Sequence, residues 1–168
     1  MLSRFIRPAS VFLVASATFS CLSRAPQIPQ QITVPNIGTV TVEVRVGVQN
    51  AHCTLQLFKT DVKELVGTLE YFFNNRDTVH MSWLRVERPY RRYGIGKILF
   101  GLLLQLIKDK KYKKITWSAY PTDPEPGNSR ETQLPKLIEF YESIGGIVLK
   151  RYPNFAEMEY DLEQQKRR

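Results

Sequence analysis

Residues 78–107 carry the strongest structural signal in the chain: a strand, a glycine-containing turn and a helix in immediate succession. Residues 78–86 are rich in β-branched and aromatic side chains, and Pro89 prevents a strand from continuing past them. Beyond the turn, apolar residues recur at spacings of three and four and so share one helical face: Ile95, Ile98, Leu99, Leu102, Leu103, Leu106 and Ile107. We therefore predict a strand over 78–86 that leads through a turn into a helix over 95–107.

The turn at residues 91–96 has the composition of an anion-binding site. The first backbone N–H groups of a helix have no acceptor within the helix, and phosphate is a natural ligand for them. Glycine lets a ligand approach the backbone closely, and basic side chains add positive charge. The segment supplies both, through Gly94, Gly96, Arg91, Arg92 and Lys97. A plain helix start with two turn glycines is the alternative interpretation.

Two common phosphate-binding loops do not match this segment. The dinucleotide fingerprint needs a third glycine where the chain has Leu99, and the Walker pattern needs serine or threonine where it has Ile98. The pattern that remains is Arg91-x-x-Gly94-x-Gly96 between a strand and a helix. It resembles the acyl-CoA signature of the GNAT family of N-acetyltransferases.

A second segment strengthens this resemblance. Residues 137–146 are similar to the Leu-x-x-Phe-Tyr-x-x-x-Gly-Phe segment of the same family, through Leu137, Phe140, Tyr141 and Gly145. The two motifs stand in the family's order, about fifty residues apart. Together they are a far more specific signal than either motif alone.

The resemblance implies an enzyme, an acetyl-CoA-dependent N-acetyltransferase that moves an acetyl group to a primary amine by direct attack in a ternary complex. Acetyl-CoA is then a co-substrate and no metal is needed. By the same resemblance, main-chain groups at the end of the strand align the pantetheine arm, and the turn holds the pyrophosphate. The implied cofactor-binding residues are Leu84, Val86, Arg91, Arg92, Tyr93, Gly94, Ile95, Gly96 and Lys97. The alternative function is a non-catalytic GNAT-like module that binds acyl-CoA or RNA through its basic face.

Tyr141 is the first of two predicted catalytic residues. Its spacing places it on the apolar stripe of a helix, which by itself favours a core tyrosine; the other stripe positions are Leu134, Leu137, Ile138 and Ile144. The resemblance gives it the role of the family's general acid, whose hydroxyl protonates the leaving thiolate. A phenol with a pKa of about 10 can supply this proton while it stays neutral at rest.

His80 is the second predicted catalytic residue, as the general base, because an amine must lose a proton when it is acetylated. It lies eleven residues before Arg91, about where some histone-modifying relatives carry a glutamate base. Simple strand alternation puts it on the same face as Ser82, Leu84 and Val86. Alternatively, His80 is a histidine with a purely structural role in the strand. The other candidate bases are Glu87, Glu70 and a chain of water molecules.

Alternating side chains predict a mostly antiparallel sheet. In residues 39–48 valines alternate with other residues, which is typical of a half-buried strand. Strand-like runs at 52–58, 65–73 and 78–86 follow through short turns, and the four strands form a meander. A strand over 113–119 follows the helix and lies parallel to the strand before the turn. We therefore predict an α/β (α+β) single GNAT-like domain with a mixed, mostly antiparallel central sheet flanked by helices.

The remainder of the chain departs from the family in one respect. The usual two helices between the first two strands, which form part of the acceptor site, are missing here. The acceptor wall is then expected from a polar loop at residues 120–133 or from a second subunit. A helix from residue 134 and strands over 146–150 and 156–162 complete the domain. The acceptor stays open between a protein N-terminus, a lysine, a small amine and an antibiotic, and a homodimer is also left open.

Residues 1–31 differ in composition from the rest, with no acidic residue and a mildly apolar stretch at 9–22. They predict a targeting or disordered segment, of the secretory or organelle-transit type, with a membrane tether as the alternative. The stretch is too short and too interrupted by serine and threonine to predict a membrane span. Because acetyl-CoA is an intracellular cofactor, we expect an intracellular location, in the cytoplasm or an organelle matrix. The acyltransferase domain is predicted over residues 32–163 and a basic tail over 164–168.

The net charge of +8 is concentrated in residues 78–120, which hold ten Lys and Arg against two Asp and Glu. Such an excess favours a polyanionic partner, either the phosphates of coenzyme A or a nucleic acid. For residues 108–114 we favour a solvated basic face, because cations also suit the C-terminus of a helix. A nucleic-acid partner is therefore left open but not favoured. The two cysteines and two histidines are dispersed and predict neither a disulfide framework nor a metal site.

Overall fold

The computed structural model describes residues 28–46, 52–75, 77–122 and 127–166. Within them eight strands form one sheet: β1 (Gln31–Val34), β2 (Gly38–Val46), β3 (Cys53–Lys59), β4 (Glu64–Phe73), β5 (Thr78–Val86), β6 (Lys114–Ala119), β7 (Ile147–Arg151) and β8 (Ala156–Asp161). The same residues form three helices: α1 (Ile95–Ile107), α2 (Arg130–Ser143) and α3 (Leu162–Lys166). Most of the predicted N-terminal segment, residues 1–27, and the last two residues of the predicted tail lie outside the described residues.

The sheet has the order β1-β2-β3-β4-β5-β6-β8-β7. Among the described strands, β5 and β6 are the one parallel pair, and every other neighbouring pair is antiparallel. The predicted mixed, mostly antiparallel sheet, the meander and the parallel crossover around α1 are thus confirmed. The six residues between Val46 and Cys53 are too few for two helices, as the sequence predicted.

The two faces of the sheet differ sharply in burial. The covered face, against which α1 and α2 pack, carries fully buried apolar side chains, among them Leu55, Leu57, Leu69, Ile115, Trp117 and Met158. The open face carries the alternate positions, and their side chains are polar or only partly buried, among them Glu43, Thr54, Glu70, Trp83, Ser118 and Glu157. The core therefore lies between the covered face and its helices.

A β-bulge at Ser82 interrupts the alternation of β5. Glu70 pairs with Trp83 and the next residue, Tyr71, pairs with Met81, so that Ser82 has no partner on β4. The extra residue shifts the later part of β5 by one position. Leu84 and Val86 pair with buried or helix-facing residues of the covered face, whereas His80 pairs with Phe72 on the open face. The prediction that His80 shares a face with Leu84 and Val86 is therefore wrong, because simple alternation takes no account of a bulge.

Three element boundaries also differ from the sequence analysis. β1 was not predicted, and it pairs with the first part of β2. α2 begins at Arg130 rather than 134, because the Ser129 hydroxyl accepts a hydrogen bond from the Thr132 N–H (3.2 Å) and caps the helix. α3 occupies residues 162–166, where a tail was expected from 164.

β2 is less buried than its valine pattern predicted. Val40 is fully buried, but Val44 and Val46 are 38% and 58% exposed. β1 pairs with β2 from Gly38 to Thr41, so the second half of β2 is an outer edge in the described part of the chain.

Candidate active site

A cleft of about 770 Å³ opens where β5 and β6 separate. The two strands pair from Thr78 and Lys114 to His80 and Thr116, and no later residues of the two strands pair. The bulge at Ser82 lies just beyond this point, and bulges bend a strand and increase its twist. The Ser82 hydroxyl donates a hydrogen bond to the Glu70 carbonyl (3.3 Å), which ties the bulge to β4.

The cleft reaches both faces of the sheet. Its walls include covered-face residues such as Leu84 and Trp117 and open-face residues such as Trp83 and Ser118. A ligand in the cleft can therefore contact groups on both sides of the sheet through the gap between β5 and β6. This geometry allows a reaction in which two substrates approach one another from opposite faces.

The glycine turn lies at one end of the cleft. Gly94 is the N-cap of α1 with φ of 80°, and no side chain caps the helix there. The first intrahelical bond runs from the Ile98 N–H to the Gly94 carbonyl (3.1 Å), so the N–H groups of residues 95–97 have no acceptor within the helix. Arg92 also has a positive φ of 70°, a conformation that costs a non-glycine residue about 1 kcal/mol or more. The turn is thus held in a conformation that presents backbone donors to an anion.

Arg91 fixes the turn to the end of β5, because its Nε donates a hydrogen bond to the Val86 carbonyl (3.1 Å). A short 3-10 turn over Arg88–Tyr90 connects the two segments. Eight of the nine predicted cofactor-binding residues line the cleft together: Leu84, Val86, Arg91, Arg92, Gly94, Ile95, Gly96 and Lys97. The exception is Tyr93, which is 43% exposed and lies outside the cleft walls.

Gly96 brings α2 against the start of α1. A Cβ at this position would lie 2.8 Å from Cζ of Phe140, closer than packed atoms come. The absence of a side chain therefore lets Phe140 pack directly on the first turn of α1. Phe140 is adjacent to Tyr141 in α2, and both side chains line the cleft.

Tyr141 is buried and forms part of the cleft wall on the covered face. Its ring lies 5.1 Å from that of Trp117, between centroids. Burial raises the pKa of Tyr141 well above its usual 10, so its hydroxyl carries a proton throughout the neutral range. The structure thus brings Tyr141 together with the predicted cofactor-binding residues.

His80 lies on the open face at the point where β5 and β6 separate, and it does not line the cleft. Its Nδ1 is 3.2 Å from the Thr116 hydroxyl, and its ring packs against Phe72 with centroids 4.9 Å apart. Burial lowers the pKa of His80 below its usual 6.5, so the imidazole is mostly neutral at pH 7. The two predicted catalytic residues are therefore on opposite faces of the sheet.

Tyr120 and Gln133, at the two ends of the loop predicted as a possible acceptor wall, line the cleft. Several other cleft residues were not predicted from the sequence: Trp83, Trp117, Ser118, Leu137 and Phe140. The signal for Trp117 and Ser118 was available, because the end of a strand parallel to β5 must lie beside the end of β5. Trp117 also has an indole N–H that is buried without a hydrogen-bond partner in the described structure. Such a donor is costly to bury unless a ligand supplies an acceptor.

The lysines near the C-terminus of α1 have partners away from the cleft. Lys110 lies over the Phe73 ring (4.7 Å), Lys113 pairs with Asp77 (3.2 Å), and Lys114 pairs with Glu159 (2.9 Å). These contacts match the solvated basic face that we favoured for residues 108–114. The basic residues that line the cleft are Arg85 of β5 and, at the turn, Arg91, Arg92 and Lys97.

The described residues contain neither a cluster of metal ligands nor a helix that could span a membrane. Their histidines, cysteines and carboxylates do not gather in threes in any place suited to a metal ion. None of their helices has both the length and the apolar character needed to cross a membrane.

Comparison with known proteins agrees with this geometry. Residues 35–145 match the model of the acetyltransferase (GNAT) family. No curated protein matches the chain.

The solved structures that resemble the chain share its fold at low sequence identity. PaiA N-acetyltransferase of Thermoplasma acidophilum, solved with coenzyme A, is 19% identical over 66% of this chain, with a TM-score of 0.52; the match spans 61% of PaiA, less than two thirds of its length. A GNAT family acetyltransferase of Elizabethkingia anophelis, solved with acetyl-CoA, is 12% identical over 73% of this chain and 98% of its own, with a TM-score of 0.55. Spermidine/spermine N-acetyltransferase SpeG of Vibrio cholerae, solved with manganese ions, is 15% identical over 71% of each chain, with a TM-score of 0.55.

Proposed function

The chain belongs to the GNAT family of acetyltransferases, and we propose that it acetylates a primary amine with acetyl-CoA by direct attack in a ternary complex. One observation carries this proposal: the turn at the start of α1, the unpaired edge of β5 and Tyr141 meet in a single cleft. Acetyl-CoA supplies an electrophilic thioester carbonyl and a thiolate leaving group. The residues of the cleft bind it, orient it and move protons.

The turn fits the pyrophosphate of acetyl-CoA. The space beside Gly94 is open, since a Cβ there would meet no atom within 4 Å, and the neighbouring N–H groups of α1 lack a side-chain cap. Arg92 and Lys97 add positive charge at the same end of the cleft, and Arg91 holds the turn against β5. Coenzyme A in PaiA and acetyl-CoA in the Elizabethkingia protein support this assignment.

The edge of β5 that faces the gap fits the pantetheine arm. From Met81 to Val86 this edge has no strand partner on the β6 side. An extended chain with amide groups can bind such an edge as an additional strand does, through main-chain hydrogen bonds. The apolar side chains of Leu84 and Val86 line the cleft beside it.

Tyr141 is the proposed general acid. It lies in the covered-face wall of the cleft, where the raised pKa keeps its hydroxyl protonated. A protonated phenol can donate to the thiolate as the thiolate leaves, which prevents the reverse attack on the acetylated amine.

His80 is the proposed general base, acting from the open face. Its lowered pKa makes the neutral, proton-accepting form dominant at pH 7. We assign the neutral tautomer in which Nδ1–H donates to the Thr116 hydroxyl, so that Nε2 can accept a proton. Because His80 does not line the cleft, we propose that the proton reaches it through water.

Isothermal titration of the full chain with acetyl-CoA tests the binding step. Gly94→Trp fills the space beside the turn and should weaken binding by about a hundredfold, since charge-assisted hydrogen bonds contribute about 1.5–3 kcal/mol each. Gly38→Trp is the matched control, because Gly38 also has a positive φ (96°) and open space around it but lies in β2, away from the cleft. The control should lose some stability through its backbone and retain acetyl-CoA binding.

Release of free thiol in the presence of an amine panel then tests transfer. Binding with amine-dependent thiol release supports the enzyme. Binding without release from any amine would instead favour the non-catalytic acyl-CoA-binding module. Equal affinity of wild type and Gly94→Trp for acetyl-CoA would exclude the turn as the pyrophosphate site.

A further inference from the structure

The open face of the sheet surrounds the mouth of the cleft on the side opposite α1. The covered-face side of the gap is closed by Phe140 and Tyr141 of α2 and adjoins the cofactor turn. In the proposed function an amine must therefore approach the thioester from the open face. The shape and charge of the open face then determine which amines can reach the thioester.

The residues described by the structure form no enclosure for a small molecule at the open-face mouth. Ser82 and Ser118 stand on its two sides, and both side chains are exposed. In the described part of the chain the helices pack against the other face or the ends of the strands. Sites for small ligands bury most of the ligand surface, typically 70–90%. A free diamine or polyamine at this mouth would keep most of its surface in water, whereas a polypeptide can gain contacts along the strands on either side.

A carboxylate flanks the mouth on each side, and an indole ring lies beside one of the two. On the β4–β5 side, Glu70 and Trp83 are cross-strand partners and share the open face. On the β6–β8 side, Ser118 pairs with Glu157, whose side chain is exposed. A carboxylate beside an indole ring suits a cationic side chain, through an ion pair and a cation–π contact. Arg85 lines the cleft on the same face, but its Nε lies 3.1 Å from the Glu87 carboxylate, which offsets its charge. The two flanking carboxylates then favour a ligand that carries positive charge on both sides of the amine.

The existing partner of Glu70 does not block this role. His52 Nε2 lies 3.6 Å from the Glu70 carboxylate, and both side chains are exposed, at 53% and 37%. A contact of this kind between exposed side chains contributes little stability, so a cation from a ligand can replace it. Trp83 is partly buried and so keeps part of its ring available.

From these observations we infer that the acceptor amine belongs to a polypeptide, which lies across the open face and carries basic residues beside the amine, one of them against Glu70 and Trp83. This inference rests on the proposed function and adds the class of acceptor to it. It assigns Glu70 and Trp83 as residues that select the acceptor and that make no contact with the acetyl group.

The test compares acceptors under saturating acetyl-CoA by the kcat/KM of thiol release. The acceptors are a short N-terminally blocked peptide with one lysine flanked by arginines, the same peptide with serines or glutamates in place of the arginines, Nα-acetyl-lysine amide, and spermidine. The arginine-flanked peptide should be the best acceptor, by about tenfold over Nα-acetyl-lysine amide and spermidine. A free α-amino peptide of the same composition separates an N-terminal acceptor from a lysine acceptor, and preference for either one supports the inference.

Glu70→Gln tests the proposed contact. It should reduce the preference for the arginine-flanked over the serine-flanked peptide by about threefold and leave the affinity for acetyl-CoA unchanged. Glu43→Gln is the matched control, since Glu43 lies on the same face in β2, remote from the cleft. It should change neither quantity.

The outcomes separate this inference from the function on which it rests. A kcat/KM for spermidine or Nα-acetyl-lysine amide at or above that of the peptides overturns the polypeptide acceptor and leaves the transferase intact. Equal effects of Glu70→Gln and Glu43→Gln overturn the assignment of Glu70. Acetyl-CoA binding without thiol release from any acceptor overturns the transfer step and this inference together.

Discussion

The covered and open faces belong to the same strands but have opposite chemistry. Along β4, Leu69 is fully buried under α1, and the adjacent residues Thr68 and Glu70 are on the open face and only partly buried. The covered face supplies the apolar area that stabilises the fold. The open face contributes far less buried area to stability. Its side chains can therefore be polar or charged and can bind an acceptor without a large loss of stability. The candidate site lies where the gap between β5 and β6 joins the two.

Substitutions in β4 give the largest expected difference between the faces. Leu69→Ala should lower the free energy of unfolding by about 2–5 kcal/mol, because it removes a buried side chain and leaves a cavity. Thr68→Ala, one residue away on the open face, should change it by about 1 kcal/mol or less. Urea unfolding at constant m-value measures both. A similar cost at the two positions would mean that the open face is covered in solution.

The next largest effect is a loss of kcat at the covered-face wall of the cleft, compared with a covered-face position outside it. Tyr141→Phe keeps the ring in the covered-face wall and removes the proposed proton donor. It should lower kcat for thiol release by about a hundredfold, the lower end of the range for general acids, with little change in acetyl-CoA affinity. Tyr71→Phe is the control, since Tyr71 is also buried on the covered face but lies outside the cleft walls. An unchanged kcat for Tyr141→Phe would leave Tyr141 as a core residue only.

The sequence was informative where one face is buried and the local pattern is regular. The apolar stripe of α1 placed the helix correctly from Ile95 to Ile107, and the glycine turn before it identified one end of the cleft. Both depend on interactions within a few residues of one another. The GNAT resemblance then supplied the order of the later elements.

What the sequence could not predict depends on contacts between distant residues. The bulge at Ser82 arises from the pairing of β5 with β4 and moves His80 to the face opposite Leu84. The exposure of Val46 follows from the shortness of β1, which does not extend along the second half of β2. The start of α2 is different, because it depends on a local contact: the Ser129 side chain caps the helix, which begins at Arg130 rather than at the predicted residue 134.

The smallest expected effect concerns the proposed base on the open face, and it appears in the pH dependence of the rate. A primary amine of pKa near 10 must lose its proton to react, so log kcat/KM for a lysine acceptor should rise with pH with a slope of about 1 below that value. Burial lowers the pKa of His80 below 6.5, so His80 becomes protonated only as the pH falls below that value. If His80 accepts the proton, the slope in wild type should therefore steepen to about 2 at low pH, and His80→Gln should keep a slope of about 1 with a rate at pH 7 lower by about tenfold. His52→Gln is the matched control when the acceptor is Nα-acetyl-lysine amide, because His52 is on the same side of the sheet but exposed, and this acceptor has no flanking residue to reach Glu70, the partner of His52. A steepened slope that persists in His80→Gln would assign the proton acceptor to another group. His80 would then have a structural role only, in which its hydrogen bond to Thr116 links β5 to β6 at the point where the two strands separate.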